Sequence, residues 1–266
     1  MFRPLENLKK EKCSLREMIL TNDFRDDAFG AQYQSILWSI LYAEENGHTF
    51  CYSPIRHINT QETDQKKYID DCETLMNIQN KYPNVFTKYT KSGEIVYALR
   101  APIFFTEIEK NLDKYHESPT FQKLQTYYFE NKSNPFDEEH IHVAIHIRKA
   151  LPFDNGDAAY RSDTYYINNM LLAQKLFQNP PKPLLFHIYS TGNLEDFEIY
   201  KNFPVQLHIN EPVTDTFIGM TFAHVLITAR SSLSYTAGLL SKGYIIYNQF
   251  WHPPRRHWLI SLLNGA

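Results

Sequence analysis

An α/β architecture in two domains follows from three observations on this chain. Its 266 residues suit two domains of about 100–150 residues better than one. Short apolar runs of strand length alternate with helical spacings, and such β–α alternation implies parallel strands with helices on both faces. A hydrophobic fraction of 43% supports real cores. No internal repeat or low-complexity tract competes with this plan.

The elements read as follows. Met18–Leu20 is a strand, and the turn-like Thr21–Asp27 comes after it. From Ala28 the apolar residues Phe29, Tyr33, Ile36, Leu37, Ile40 and Leu41 recur at helical spacing up to Gly47. Thr49–Tyr52 is a second strand, Gln61–Gln79 a polar, exposed helix, Glu94–Leu99 a third strand, and residues 103–130 a helical stretch. The polar Asn131–Glu139 marks the boundary between domains of residues 1–135 and 136–266. Beyond it His142–Arg148 is a strand, Asp163–Gln178 a helix, Leu184–Tyr189 a strand and Leu194–Asn202 a short helix. Val205–Ile209, Val225–Thr228 and Tyr244–Tyr247 are strands, separated by helices over Thr214–Phe222 and Ser232–Ser241. Arg255–Leu263 reads as a closing helix. Parallel sheets of this kind bind ligands at the carboxyl ends of their strands, so functional residues are expected just after strands.

Composition narrows the function classes. The formal net charge of −3, with acids and bases interspersed, argues against a dedicated nucleic-acid binder. Cys13, Cys51 and Cys72 form an odd set without metal-like spacing and read as reduced thiols. The N-terminal segment lacks the apolar core of a signal peptide, and no window reaches the ~18 apolar residues of a membrane span. A cytosolic location is expected, or else an enzyme whose membrane anchor lies outside these residues.

Three segments carry chemistry. In His140–Lys149 the period of two places His142, Ala144, His146 and Arg148 on one face of a half-buried strand, so His146 and Arg148 stand together at its carboxyl end. A guanidinium fork makes bidentate bonds to phosphate oxygens; a core histidine beside a surface ion pair has the same pattern. In Val225–Gly238 an apolar strand runs into serines that open a helix. Ser231 or Ser232 is the N-cap, and the free N–H groups of that turn form an anion site. A serine turn that only caps reads alike. In Asp26–Gln34, Gly30 allows close backbone approach, and Gln32 leans toward the buried stripe. Its amide there needs backbone or a ligand as partner.

Absences matter as well. The chain has no G-x-x-x-x-G-K, no G-x-G-x-x-G and no D-x-D. Without the carboxylate pair that holds a metal on a diphosphate, charge neutralisation falls to Arg148, Lys149 and the helix start. No H-E-x-x-H or zinc-like histidine cluster is visible in the motifs, so no metal is expected.

Taken in order, these segments resemble the fucosyltransferase superfamily that includes the α1,2-, α1,6- and protein O-fucosyltransferases. The resemblance rests on the loop Ala28–Gln32, the H-x-R of His146-Ile-Arg148, the strand end Phe186–Thr191 and the run Asp215–Ser234. It covers roughly residues 26–250. This chain continues H-x-R with Lys149-Ala-Leu-Pro152, where the family commonly carries a further Arg and an Asp. The resemblance implies a GT-B-like fold of two Rossmann-like α/β domains facing a cleft. It implies inverting, metal-independent fucosyl transfer from GDP-fucose, bound as substrate with no cofactor, to a glycan or glycoprotein hydroxyl. Arg148 would hold the diphosphate with His146 near the nucleotide, and Ser231 and Ser232 would cap the phosphates. Asp215 would contact the base, Tyr165 and Ser190 would border the donor pocket beside Lys149, and Gly30 and Gln32 would line the acceptor side.

A general base for the acceptor hydroxyl is sought in Pro152–Asp157, where Asp154 and Asp157 are candidates. A solvated Asp/Asn/Gly turn reads the same. Two other functions stay open: a relative using another nucleotide sugar, such as UDP-xylose, and a non-catalytic nucleotide- or sugar-binding module.

Overall fold

The computed structural model describes residues 2–4, 17–88, 94–149, 161–177 and 181–261. It divides into two compact units, Met1–Lys132 and Ser133–Ala266. Each unit is an α/β layer around its own parallel sheet.

The first unit has four strands in the order β1-β4-β2-β3, all parallel: β1 (Phe2–Pro4), β2 (Ile19–Asn22), β3 (Thr49–Cys51) and β4 (Val96–Leu99). Helix α1 (Phe29–Glu45) links β2 to β3 and is buried along almost its whole length, which its run of Tyr33, Ile36, Leu37, Trp38, Ile40 and Leu41 dictates. The hydroxyl of Ser39 donates to the Ser35 carbonyl, so this buried serine is satisfied within the helix. Helix α2 is Gln65–Met76, shorter than the 61–79 expected. It is capped by Asp64 and stopped at Asn77, which sits at φ 54. It is not fully exposed: Cys72, Glu73, Leu75 and Met76 face inward. A single turn, α3 (Val85–Lys88), precedes β4. The helical stretch expected over 103–130 is three helices, α4 (Ala101–Lys110), α5 (Leu112–His116) and α6 (Pro119–Phe129). Proline fits only the first turn of a helix, and Ser118 caps the new start by accepting from the Phe121 N–H at 3.2 Å. Cys51 and Cys72 are free and buried.

The second unit holds six parallel strands in the order β10-β9-β8-β5-β6-β7. They are β5 (Ile141–His146), β6 (Leu184–Ser190), β7 (Val205–Ile209), β8 (Val225–Ile227), β9 (Tyr244–Tyr247) and β10 (Leu259–Ile260). Helices α7 (Asp163–Leu176), α8 (Val213–Phe222) and α9 (Ser232–Leu240), with a 3-10 turn at Leu194–Tyr200, make the crossovers. One face of β5 enters a core of Val143, Ile145 and Ile147 against Tyr166, Met170 and Phe186. The alternation read from sequence is right, but the strand is buried on both faces, not half-buried, because neighbouring strands and helices cover it on each side.

The closing helix expected over Arg255–Leu263 is not formed in the described residues. Residues Leu259 and Ile260 pair with Ile246 and Tyr247 as the edge strand. Trp258 drives this arrangement: it is buried edge-on against Tyr235 at 5.4 Å and tilted against Tyr247 at 5.3 Å. A helix would have to give up that anchor.

Gly243 is required where α9 turns into β9. A Cβ there would lie 2.4 Å from the Ala223 carbonyl oxygen and 2.7 Å from that of His224, both backbone atoms that cannot swing aside. Gly243→Ala is therefore expected to destabilise the fold by about 1–3 kcal/mol, read as a lowered denaturation midpoint with unchanged denaturant slope. An unaltered midpoint would show that the β8–β9 connection yields freely. No helix among the described residues is long and apolar enough to cross a membrane.

Candidate functional site

The strand register gathers a cationic, polar site at the carboxyl edge of the second sheet. Ile145 pairs with Ile227, and Ile227 with Ile246. Neighbouring strands lie about 4.8 Å apart, so Arg148, Arg230 and Asn248, two or three residues beyond these positions, leave adjacent strands on one edge. Hydrogen bonds tie the β8 and β9 exits together. The Thr228 hydroxyl accepts from the Asn248 N–H at 2.9 Å, and Arg230 Nε donates to the Gln249 carbonyl at 3.0 Å. Arg161, just before α7, donates from Nε to Asn248 Oδ1 at 3.4 Å.

The electrostatics follow from this crowding. The pKa of Arg230 is lowered, first by burial and then by the charge of Arg161, so two guanidinium groups share one neighbourhood. His146, the last residue of β5, is pushed down to about 3 by burial and by the Arg148 charge. Its ring is therefore neutral at physiological pH. Three buried polar atoms around this edge, His146 Nδ1, Ser162 Oγ and Asn248 Nδ2, have no hydrogen-bond partner among the described residues. Buried polar groups are nearly always paired, so these atoms have hydrogen-bonding capacity open to water or a polar ligand.

The serine turn supplies the helix start. Ser231 is the N-cap of α9, its Oγ accepting from the Leu233 N–H at 3.3 Å. Ser234 braces the same turn by accepting from the Ala229 N–H at 3.1 Å, while the partly buried Ser232 opens the helix. The first N–H groups of α9 and the arginines of this edge all favour an anion.

The other expected site residues are placed as follows. Ser190, at the end of β6, donates to the Ile147 carbonyl at 2.7 Å and so fixes the backbone that leads into Arg148. Lys149 sets its ammonium 4.8 Å over the Phe197 ring, on the side of the β6–β7 connection and not toward β8. Asp215 is exposed in the first turn of α8. Tyr165 is buried within the core, edge-on to Tyr166 at 5.1 Å, with Arg161 6.0 Å over its ring. Asp154 and Asp157 lie outside the described residues. Arg161, Arg230 and Asn248 escaped sequence reasoning, although Arg230 stands directly between the strand and the serines, where a charge aimed at the helix start belongs.

The first unit has its own cavity of about 210 Å³, lined among others by Asn22, Arg25, Gln32, Arg56 and His57. Its walls are built from buried polar contacts. Asn22 exchanges two hydrogen bonds with the Ser53 backbone, at 2.8 and 2.9 Å. Glu73 accepts from Tyr52 Oη and from the Ile55 N–H, both at 2.7 Å, and so holds the loop after β3. Gln32 donates its amide to the Asp27 and His57 carbonyls, each at 2.7 Å, so backbone is the partner its buried position demanded. Gly30 is buried in the first turn of α1.

No protein-family model and no curated protein matches the sequence. Among solved structures the chain is similar to the fucosyltransferase NodZ from Bradyrhizobium, at 12% identity over 87% of this chain and 96% of that one, with a TM-score of 0.45. It is similar to the iron-containing dodecameric glycosyltransferase TibC from enterotoxigenic E. coli, at 10% identity over 89% and 61%, with a TM-score of 0.47. For a mutant of Arabidopsis thaliana FUT1 in complex with GDP the values are 14% identity, 94% and 74%, and 0.42.

Proposed function

We propose that the carboxyl edge of the second sheet binds the diphosphate of a nucleotide sugar and that the chain is a metal-independent inverting glycosyltransferase. GDP-fucose is the proposed donor, and a glycan or glycoprotein hydroxyl the acceptor. The observation that carries this reading is the register that sets the β5, β8 and β9 exits side by side, with Arg148 acting on His146, Arg161 bonded to Asn248 and Arg230 at the turn that opens α9, while His146, Ser162 and Asn248 keep buried polar atoms without a partner among the described residues. Such a group of fixed cations and N–H donors takes over the neutralisation that a metal gives elsewhere.

In this reading Arg148 and the first turn of α9, with Ser231 and Ser232, hold the diphosphate, while Arg161 and Arg230 flank it. Neutral His146 presents Nδ1 to the donor, and Ser190 positions the Arg148 backbone. Lys149, Asp215 and Tyr165 take outer places, with Asp215 toward the base. The cavity beside Gly30 and Gln32 is assigned to the acceptor, and Asp154 or Asp157 to its deprotonation.

A nucleotide panel tests the donor half. A ligand at about 100 times its Kd stabilises by roughly 2.7 kcal/mol, which for a unit of this size raises Tm by roughly 5–10 °C. GDP is expected to give such a shift and guanosine a far smaller one, because most of the contacts are to phosphates and only Asp215 faces the base. A larger shift with UDP would move the donor to a UDP-sugar. Equal silence of both diphosphates would remove the site. Hydrolysis of the donor without acceptor separates an enzyme from a module that only binds.

A further inference from the structure

The second unit carries a feature at the opposite, amino end of β5 that takes no part in the proposed donor site. The segment Asp137-Glu-Glu-His-Ile-His142 turns into the strand, and the turn is fixed by Asp137 Oδ1, which accepts from the Glu139 and His140 N–H groups at 2.8 and 3.0 Å. That turn brings His140 Nδ1 to 3.0 Å from Oδ1 of Asp137 and to 3.2 Å from Oδ2. His142 Nε2, on a side chain that is fully buried, lies 3.3 Å from the same Oδ1. The three ligand atoms all fall within 4.8 Å of one another. Bonds of about 2.0–2.2 Å in a tetrahedral site set ligand atoms roughly 3.3 Å apart, so these groups need little movement to share one ion.

A second observation comes from the other ring nitrogen of His142. Its Nδ1 lies 2.8 Å from His187 Nε2; His187 Nδ1 lies 3.0 Å from His208 Nε2; His208 Nδ1 lies 2.9 Å from a Glu211 carboxylate oxygen. Three imidazoles thus form a row across β5, β6 and β7. At its far end stands the Glu211 carboxylate, which accepts only. At its near end His142 Nε2 faces the Asp137 carbonyl at 3.1 Å as well as its carboxylate, which also accept only. Each neutral imidazole carries one N–H. The row therefore has four gaps to fill and three protons to fill them. One positive centre is missing from the count.

We propose that Asp137, His140 and His142 bind a divalent transition-metal ion, with zinc the best match to two imidazoles and one carboxylate. The ion takes the lone pair of His142 Nε2 and fills the first gap. The three protons then run in one direction, from His142 to His187, from His187 to His208, and from His208 to Glu211, with every ring neutral. A metal-bound histidine ordinarily donates its second N–H to just such a partner. His140 and Asp137 are partly exposed, so a fourth position is open to water. The ion clamps the segment entering the second unit onto the amino edge of its sheet. The motif escapes sequence templates because the supporting histidines stand on separate strands.

The test uses the full chain, stripped with chelator and titrated with zinc chloride by calorimetry, and separately with cobalt(II) for the visible spectrum of a tetrahedral site. One ion per chain is expected, with a rise in Tm. His140→Ala, a substitution in a surface turn, is expected to weaken binding by at least about tenfold with an unchanged far-UV spectrum. Glu211→Leu, which touches no ligand and removes the terminal acceptor, is expected to weaken it by up to about tenfold through the row, the low end of the loss seen for a ligand's direct partner. Arg148→Ala is expected to leave zinc affinity as it is. Failure of the wild-type chain to bind zinc or cobalt, or equal affinity in folded wild-type and His140→Ala, would overturn the site. A fourth proton would then complete the row.

Discussion

Arg148→Ala is expected to lower glycosyl transfer by two orders of magnitude or more, about 3 kcal/mol of transition-state stabilisation, while the chain stays folded. Glycosyl transfer separates charge: the sugar becomes oxocarbenium-like as the leaving diphosphate gathers negative charge. A guanidinium already in place meets that charge without reorganising, and its worth is therefore greatest in the transition state. Arg148 lies beyond the last residue of β5 and is only partly buried, so truncating it leaves the six paired residues of the strand untouched. Arg148→Lys should recover part of the loss, because the charge returns without the bidentate fork. The assay is kcat and KM for the donor at saturating acceptor, with a denaturation curve as the control for folding. If the interaction is made chiefly in the transition state, kcat falls and donor KM moves little. Near-wild-type turnover by a folded variant would end the assigned diphosphate role.

The sequence made the β–α alternation legible for β5 to β9, because each of these strands is a short apolar or alternating run bounded by turns. It made Arg148 and the Ser231 cap legible too, since both stand directly after strands. What it left hidden depends on pairing order. Strand β8 lies beside β5, while β6 and β7, which come between them in the chain, lie on the other side. Only that order brings Arg230 and Asn248 to the edge where Arg148 emerges. The row of His142, His187 and His208 was hidden for the same reason, as each residue looks like an isolated core histidine within its own strand. The closing helix was misread because the apolar residues around Trp258 fit a helical spacing, and only tertiary burial of that indole decides for the edge strand.

His146 should make the protein lose stability in acid along a limb that its replacement removes. In the folded chain its pKa lies near 3, against the ordinary 6.5; burial is the larger cause and the Arg148 charge the smaller. The sign follows from proton uptake. Between these two values the unfolded chain binds a proton that the folded chain refuses, so unfolding is favoured as pH falls. The contribution is whole above pH 6.5, shrinks below it, and is spent near pH 3. Its limiting slope is about 1.4 kcal/mol per pH unit. Denaturant midpoints measured from pH 7 to 4.5 should therefore fall more steeply for the wild-type chain than for His146→Gln, with the two curves converging by roughly 2–3 kcal/mol. Arg148→Ala should shorten the limb at its acid end, since removing that charge raises the His146 pKa. Parallel profiles for wild type and His146→Gln would show that this imidazole titrates alike in both states. The same reasoning bears on catalysis. In the proposed donor site a neutral ring would contribute one hydrogen bond and no charge, leaving the anion to the guanidiniums. The pH–rate profile of transfer should then show no His146 limb between pH 6 and 7, where an ordinary histidine would titrate.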